Sequence, residues 1–151
     1  MVRTIRQLGV RMTSSRGRRA RPTLGSRRDP PVAYHGIVIK QGFQDSSLLD
    51  TLRILGRKQA GAWTLLRIGV TRSSFERTVR RVQRNLRSEN GVPFYAHFYL
   101  PGELVVVFPQ KVFRCRPGKA TWSRAVNYGR SVGIPAEELD FRPCRFEDET
   151  Y

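Results

Sequence analysis

The chain has 151 residues, of which 28 are Lys or Arg and 12 are Asp or Glu, for a formal net charge of +16. With 39% hydrophobic and 26% charged residues, it has the composition of a folded chain long enough to bury one core, which excludes a wholly disordered polypeptide. No apolar run approaches the roughly 20 residues that a membrane-spanning helix needs. Two cysteines, Cys115 and Cys144, are too few for a disulfide framework, which points to a reducing, cytoplasmic setting.

The charge is unevenly placed. Residues 1–28 hold nine arginines and no acid, residues 51–136 hold sixteen basic residues against Glu76, Glu89 and Glu103, and residues 137–151 hold six acids against Arg142 and Arg145. A basic body attracts phosphate polyanions, and an acidic tail competes for the same surface. Arginine outnumbers lysine by 24 to 4, which fits phosphate recognition and equally a GC-rich coding bias.

Residues 1–33 read as a disordered, arginine-rich arm. Arg3 to Arg28 are interspersed with Ser, Thr, Gly and Pro, no apolar period survives, and the stretch ends at Pro30-Pro31. Three readings fit it: a nucleic-acid-binding arm, a mitochondrial presequence, or an upstream extension with the true start near Val32. A single α+β domain is expected over residues 34–151.

Within that domain, Tyr34 to Lys40 is a short run rich in branched residues and predicts a strand. Ser47-Leu48-Leu49-Asp50 has capping-box form, and Leu48, Leu52 and Leu55 predict a helix to about Lys58. Gly61 breaks the chain before a strand over Trp63 to Thr71. Ser73-Ser74-Phe75-Glu76 is a second capping box, and Phe75, Val79, Val82 and Leu86 form one face of a helix reaching about Ser88. Asn90-Gly91 ends it. Phe94 to Leu100 and Glu103 to Phe108 flank Pro101-Gly102 as a hairpin, and Lys111 to Arg116 resumes an extended run. Thr121 caps a last helix through Trp122, Ala125, Val126, Gly129 and Val132, and one more turn starts at Pro135. The order β-α-β-α-β-β-α predicts a mixed, largely antiparallel sheet with helices on one face.

The hairpin Phe94-Tyr95-Ala96-His97-Phe98-Tyr99 with Glu103 to Phe108 carries a resemblance, as do Lys111-Val112-Phe113, Thr121-Trp122, Tyr128-Gly129, Gly133-Ile134-Pro135 and Asp140-Phe141-Arg142-Pro143-Cys144-Arg145-Phe146. Together they resemble a family of small bacterial and archaeal proteins with no assigned activity. The resemblance covers about residues 34–151, leaves out the arginine arm, and implies no catalytic residues.

Two surfaces carry candidate chemistry. Arg77, Arg80, Arg81, Arg84 and Arg87 lie opposite the apolar face of the 73–88 helix, where like charges three and four residues apart repel. An anion relieves that repulsion, either a phosphate backbone or the acidic run Glu147-Asp148-Glu149; a merely solvated face is the plain alternative. On the hairpin, strand alternation sends Phe94, Ala96, Phe98 and Leu100 toward a core and Tyr95, His97 and Tyr99 to the other face. Those rings suit base stacking, with Trp63, Arg67, Lys40 and Lys111 as companions, or a second hydrophobic layer or dimer interface.

Other chemistries find less support. His35, His97, Cys115 and Cys144 match no zinc-binding spacing, so no metal or other cofactor is expected. A cysteine beside His35 or His97 would suit nucleophilic catalysis, but isolated cysteines more often behave as small buried hydrophobes. No phosphate-binding glycine loop or serine-hydrolase motif is present. The leading expectation is a small basic module that binds RNA or another polyanion. A protein-interaction or homodimer module stands beside it, as does a small enzyme with a pocket near His35, His97 and the carboxylates of residues 140–149. A deep polar pocket enclosing His97 and a tail carboxylate would favour the enzyme.

Overall fold

Alternation along the first strand sets the architecture, because Tyr34, Gly36 and Val38 point to one face of the sheet and His35 and Ile37 to the other. The computed structural model describes residues 29–151; most of the arginine-rich arm expected over residues 1–33 lies outside the described residues. In chain order these form β1 (Val32–Ile39), a 3-10 segment (Ser46–Thr51), β2 (Arg53–Ala60), β3 (Trp63–Thr71) and α1 (Phe75–Asn85). There follow β4 (Ser88–Glu89), β5 (Val92–Pro93), β6 (Ala96–Leu100), β7 (Glu103–Val107), β8 (Val112–Cys115) and α2 (Ser123–Ser131). Six strands make one antiparallel sheet in the order β2-β3-β1-β6-β7-β8, so the fold is α+β.

The first face is closed by α1. Its stripe Phe75, Val79, Val82 and Leu86 is buried against Val38, Leu66, Ile68, Phe98, Val105 and Val107. Tyr34 stacks flat on Phe75, with ring centroids 3.6 Å apart, and Phe98 meets the edge of Phe75 at 5.7 Å. Phe98 reaches this position by passing over Gly36 on the neighbouring strand, where a Cβ would lie 2.5 Å from the ring. Only a residue without a side chain fits there.

The second face is closed by α2 and the segment after it. Ile37, Tyr99, Leu104 and Val106 of the sheet pack with Trp122 and Ala125, and then with Ile134, Leu139, Phe141 and Cys144. Leu139 presses onto α2 at Gly129, where a Cβ would come within 2.5 Å of its methyl group. The two α-helices therefore lie on opposite faces of the sheet, not on one as the element order suggests. That order cannot distinguish the faces, since α1 lies on the crossover from β3 past β1 to β6 and α2 follows the edge strand β8.

The order itself changes at one place. The helix expected over residues 47–58 is a 3-10 segment, capped by the Asp45 carboxylate accepting from the Ser47 backbone N–H at 2.9 Å, and the chain then turns into β2. β2 is an outer strand whose register with β3 shifts between Ile54 and Gly56, and its burial does not alternate cleanly. The leucine spacing that mimics a helix thus spans the end of a turn and a bulged edge.

Two caps also differ from the sequence pattern. Ser74 precedes α1 without a side-chain cap; its hydroxyl contacts Thr71 Oγ1 at 2.7 Å, and Glu76 pairs with Arg114 at 2.7 Å. Asn90 and Gly91, at φ 52° and 77°, form the left-handed turn of the small β4–β5 hairpin after α1 has ended.

Candidate functional site

Burial of the apolar stripe of α1 forces its arginines outward. Arg77, Arg80, Arg81 and Arg84 are exposed, and Arg87 is half-buried. They are not equivalent. Arg81 donates to Thr51 Oγ1 at 2.9 Å, tying α1 to the 3-10 segment. Arg87 donates to the Gln41 carbonyl, lies 3.6 Å from Glu89, and covers the Phe94 ring at 4.9 Å. Arg77, Arg80 and Arg84 have no carboxylate partner among the described residues. Arg77 also stands in the first turn, where the helix dipole disfavours a cation.

The acidic tail does not relieve this charge. Glu149 sits on the opposite face of the sheet, where it accepts from Arg67 Nη1 at 2.7 Å and from Tyr99 Oη at 2.8 Å, and pairs with His35 Nδ1. Phe146 packs over His35 at 4.3 Å and near Tyr99 at 6.0 Å. Asp148 pairs with Arg145 at 3.0 Å. The segment Phe146–Tyr151 is therefore a strap across the second face. Its last residue lies against Gly56, where a Cβ would meet the Tyr151 main chain at 2.7 Å. Burial pushes the Tyr151 phenol up to about 12, and Lys58 Nζ stands 5.7 Å from its ring.

This strap overturns the stacking surface expected from Tyr95, His97 and Tyr99. Alternation does place all three on one face, but Tyr99 is 0% exposed and His97 3% exposed beneath the chain from Ile134 onward. Tyr95 is half-buried, with its hydroxyl donating to the Glu138 carbonyl. Burial raises the phenols of both Tyr95 and Tyr99. The three residues belong to a second layer within the chain, in which His97 and Tyr99 offer no open ring face to a base or a second copy and Tyr95 stands half-buried at its edge. Of their expected companions, Arg67 shares this face, whereas Trp63 packs edge-on to Phe94 at 5.2 Å. The large exposed apolar side chains among the described residues, Ile54, Val112 and Phe146, sit apart on β2, on β8 and on the strap. They make no continuous patch.

Beside the strap, between the β2–β3 turn, the start of β6 and the segment from Ile134, lies a groove of about 890 Å³. Ile37, Leu65 and Ile134 line it with apolar surface, and His97, Asp140 and Asp148 also border it. His97 is held there by its Nε2–H, which donates to the Pro143 carbonyl at 2.8 Å. Burial lowers its pKa to about 4, so the ring is neutral near pH 7. Asp140 is gripped by Arg142 through two bonds of 2.8 and 2.6 Å, and this guanidinium holds the carboxyl below its usual range. His35 does not border the groove, being bound to Glu149 instead.

Nothing here is arranged as an activated nucleophile. Burial pushes both thiols up, and the Cys144 Sγ–H lies 3.6 Å from the Pro117 carbonyl. Among the described residues, no group of three or more His, Cys, Asp or Glu side chains is placed to hold a metal ion, and no helix is long and apolar enough to cross a membrane.

Sequence patterning finds the arginine face, because helical spacing shows which residues point outward. It misses Glu149, Arg67 and Tyr99 as one cluster, because they lie on three segments that only the strap brings together. No protein-family model matches the chain, and no curated protein or solved structure matches it.

Proposed function

We propose that this protein binds the phosphate backbone of RNA through the exposed arginine face of α1. The observation that carries the reading is the set Arg77, Arg80 and Arg84, which point outward without carboxylate partners while acids elsewhere hold other arginines. Three guanidiniums within two helical turns repel one another, and each offers a planar fork that fits phosphate oxygens. The formal charge of +16 adds long-range attraction for a polyanion.

The recognition this surface supports is led by backbone charge and tolerant of sequence. Stacking and base-edge contacts need open rings and polar groups, and Tyr95, His97 and Tyr99 are occupied within the chain. The two free cysteines favour a reducing compartment, the cytoplasm, as the setting.

Fluorescence anisotropy of a labelled single-stranded RNA at about 50 mM salt tests the reading. The chain is expected to bind uridine and adenosine homopolymers with similar affinity. Replacing Arg77, Arg80 and Arg84 together by Glu is expected to weaken both by more than tenfold. Unchanged affinity in that variant would remove α1 from the interface.

A further inference from the structure

We infer that His35, Arg67 and Tyr99 form a binding site for a phosphate monoester, with Glu149 of the strap as its resident competitor. The site lies on the face opposite α1, so the inference goes beyond backbone recognition by that helix and does not rest on it.

The sheet assembles the site before the strap reaches it. His35 of β1 pairs with Tyr99 of β6, and Ile37 of β1 pairs with Arg67 of β3, so the three side chains share one patch of the second face. Each brings a donor to Glu149: Arg67 Nη1 at 2.7 Å, Tyr99 Oη at 2.8 Å, and His35 Nδ1 beside them. A guanidinium, an imidazole and a phenol converging on one carboxylate make an oxyanion site that the chain itself fills.

The carboxylate matches this site incompletely. Its two oxygens are taken, Oε1 by His35 and Tyr99 and Oε2 by Arg67. Arg67 Nε is nevertheless buried with no hydrogen-bond partner among the described residues. A buried N–H left unpaired is unfavourable, and a phosphate monoester brings a third oxygen and a second negative charge toward it.

The strap is attached in a way that lets it yield. Its backbone bonds from Asp148 to Arg145 and from Glu149 to Phe146 close within it, and Phe146 is 36% exposed where it packs over His35. It is also the wall between this site and the groove, since Asp148, Thr150 and Tyr151 line the groove while Glu149 turns to Arg67. When the strap swings out, the apolar surface of Ile37 and Leu65 in the groove runs on to Arg67, the neighbour of Ile37 across the sheet. The phosphoryl group then replaces Glu149, and the apolar remainder of the ester lies in the groove.

The test uses the full chain with phenyl phosphate as the probe, followed by calorimetry and by the His35 ring resonances. Saturable binding that moves these resonances is expected. It should survive replacement of Arg77, Arg80 and Arg84 by Gln, which separates it from phosphate contacts of α1. A competing strap lowers the fraction of open sites, so Glu149→Gln is expected to tighten binding about tenfold. Arg67→Gln is expected to abolish binding in a chain whose circular dichroism is unchanged. Arg67→Lys, which keeps the charge without the planar fork, is expected to weaken it about tenfold. Benzoate has the ring but only two oxygens, and inorganic phosphate lacks the ring, so both are expected to bind more weakly than phenyl phosphate. His35 resonances that stay still at millimolar phenyl phosphate, a Glu149→Gln affinity no higher than that of the natural chain, or equal binding of benzoate or inorganic phosphate would each overturn the proposal.

Discussion

Tyr99 donates its hydroxyl proton to Glu149 at 2.8 Å, and this contact joins the middle of the sheet to the strap that covers it. The same carboxylate receives Arg67 and His35, so one side chain holds residues of β1, β3 and β6 to the chain's last turn. Glu149 is only 12% exposed, and its removal strands a guanidinium and a hydroxyl under the strap. Glu149→Ala is expected to cost roughly 2–4 kcal/mol and Tyr99→Phe roughly 1–2 kcal/mol in urea denaturation. A loss below about 0.5 kcal/mol for Glu149→Ala would mean that the strap is held by Phe146 and Tyr151 alone.

Phe98 and Tyr99 are adjacent, and both are 0% exposed, because each face of the sheet has its own cover. The pattern of the hairpin alone leads to a large loss for Phe98→Ala and a small one for Tyr99→Ala. With both faces closed, each substitution is expected to cost about 3–5 kcal/mol. Chemical denaturation of the two variants distinguishes a two-sided core from a one-sided one.

Gly36 offers a sharper test of the first face. A methyl group there would stand 2.5 Å from the Phe98 ring, and that ring is 0% exposed and meets Phe75 edge-on at 5.7 Å. Gly36→Ala is expected to destabilise by about 1–3 kcal/mol despite the better strand propensity of alanine. The double variant Gly36→Ala, Phe98→Leu should recover part of the overpacking loss.

His97 predicts a pH dependence of definite sign. Its pKa falls from 6.5 when unfolded to about 4 when folded, mainly through burial. The unfolded chain therefore binds the proton first, and stability present above pH 6.5 declines as the pH drops, with this contribution lost by about pH 4. The shift corresponds to about 3 kcal/mol at most. Asp140, whose pKa is lowered by Arg142, adds a loss only at more acidic pH. Urea midpoints between pH 7 and pH 4 should fall for the natural chain, and fall less for His97→Gln.

Much of this architecture is legible in the sequence where one face of an element is dry and the other wet. The stripe Phe75, Val79, Val82, Leu86 identifies α1, and the alternating burial of Trp63–Thr71 identifies β3, because water contact follows the period of each element. β2 is illegible for the same reason in reverse: at the outer edge of the sheet, with a bulge at Ile54 to Gly56, it has no regular dry face. The hairpin is found but its second face is misread, since Tyr and His carry both apolar and polar surface and fit a covered layer as well as an open one. What covers them is a strap some fifty residues later, held by Glu149, and no local pattern announces a contact of that sequence separation.

The central claim, phosphate recognition by α1, is tested most directly by the salt dependence of single-stranded RNA binding, comparing the natural chain with Arg77→Gln, Arg80→Gln, Arg84→Gln. Each guanidinium that neutralises a phosphate releases counterions, and steepens the plot of log affinity against log salt by about 0.7. The triple variant should therefore show a slope shallower by about 2, with folding stability unchanged or slightly raised as like-charge repulsion on the helix is relieved. The same slope in both chains would contradict the account, because it would show that no phosphate meets this face.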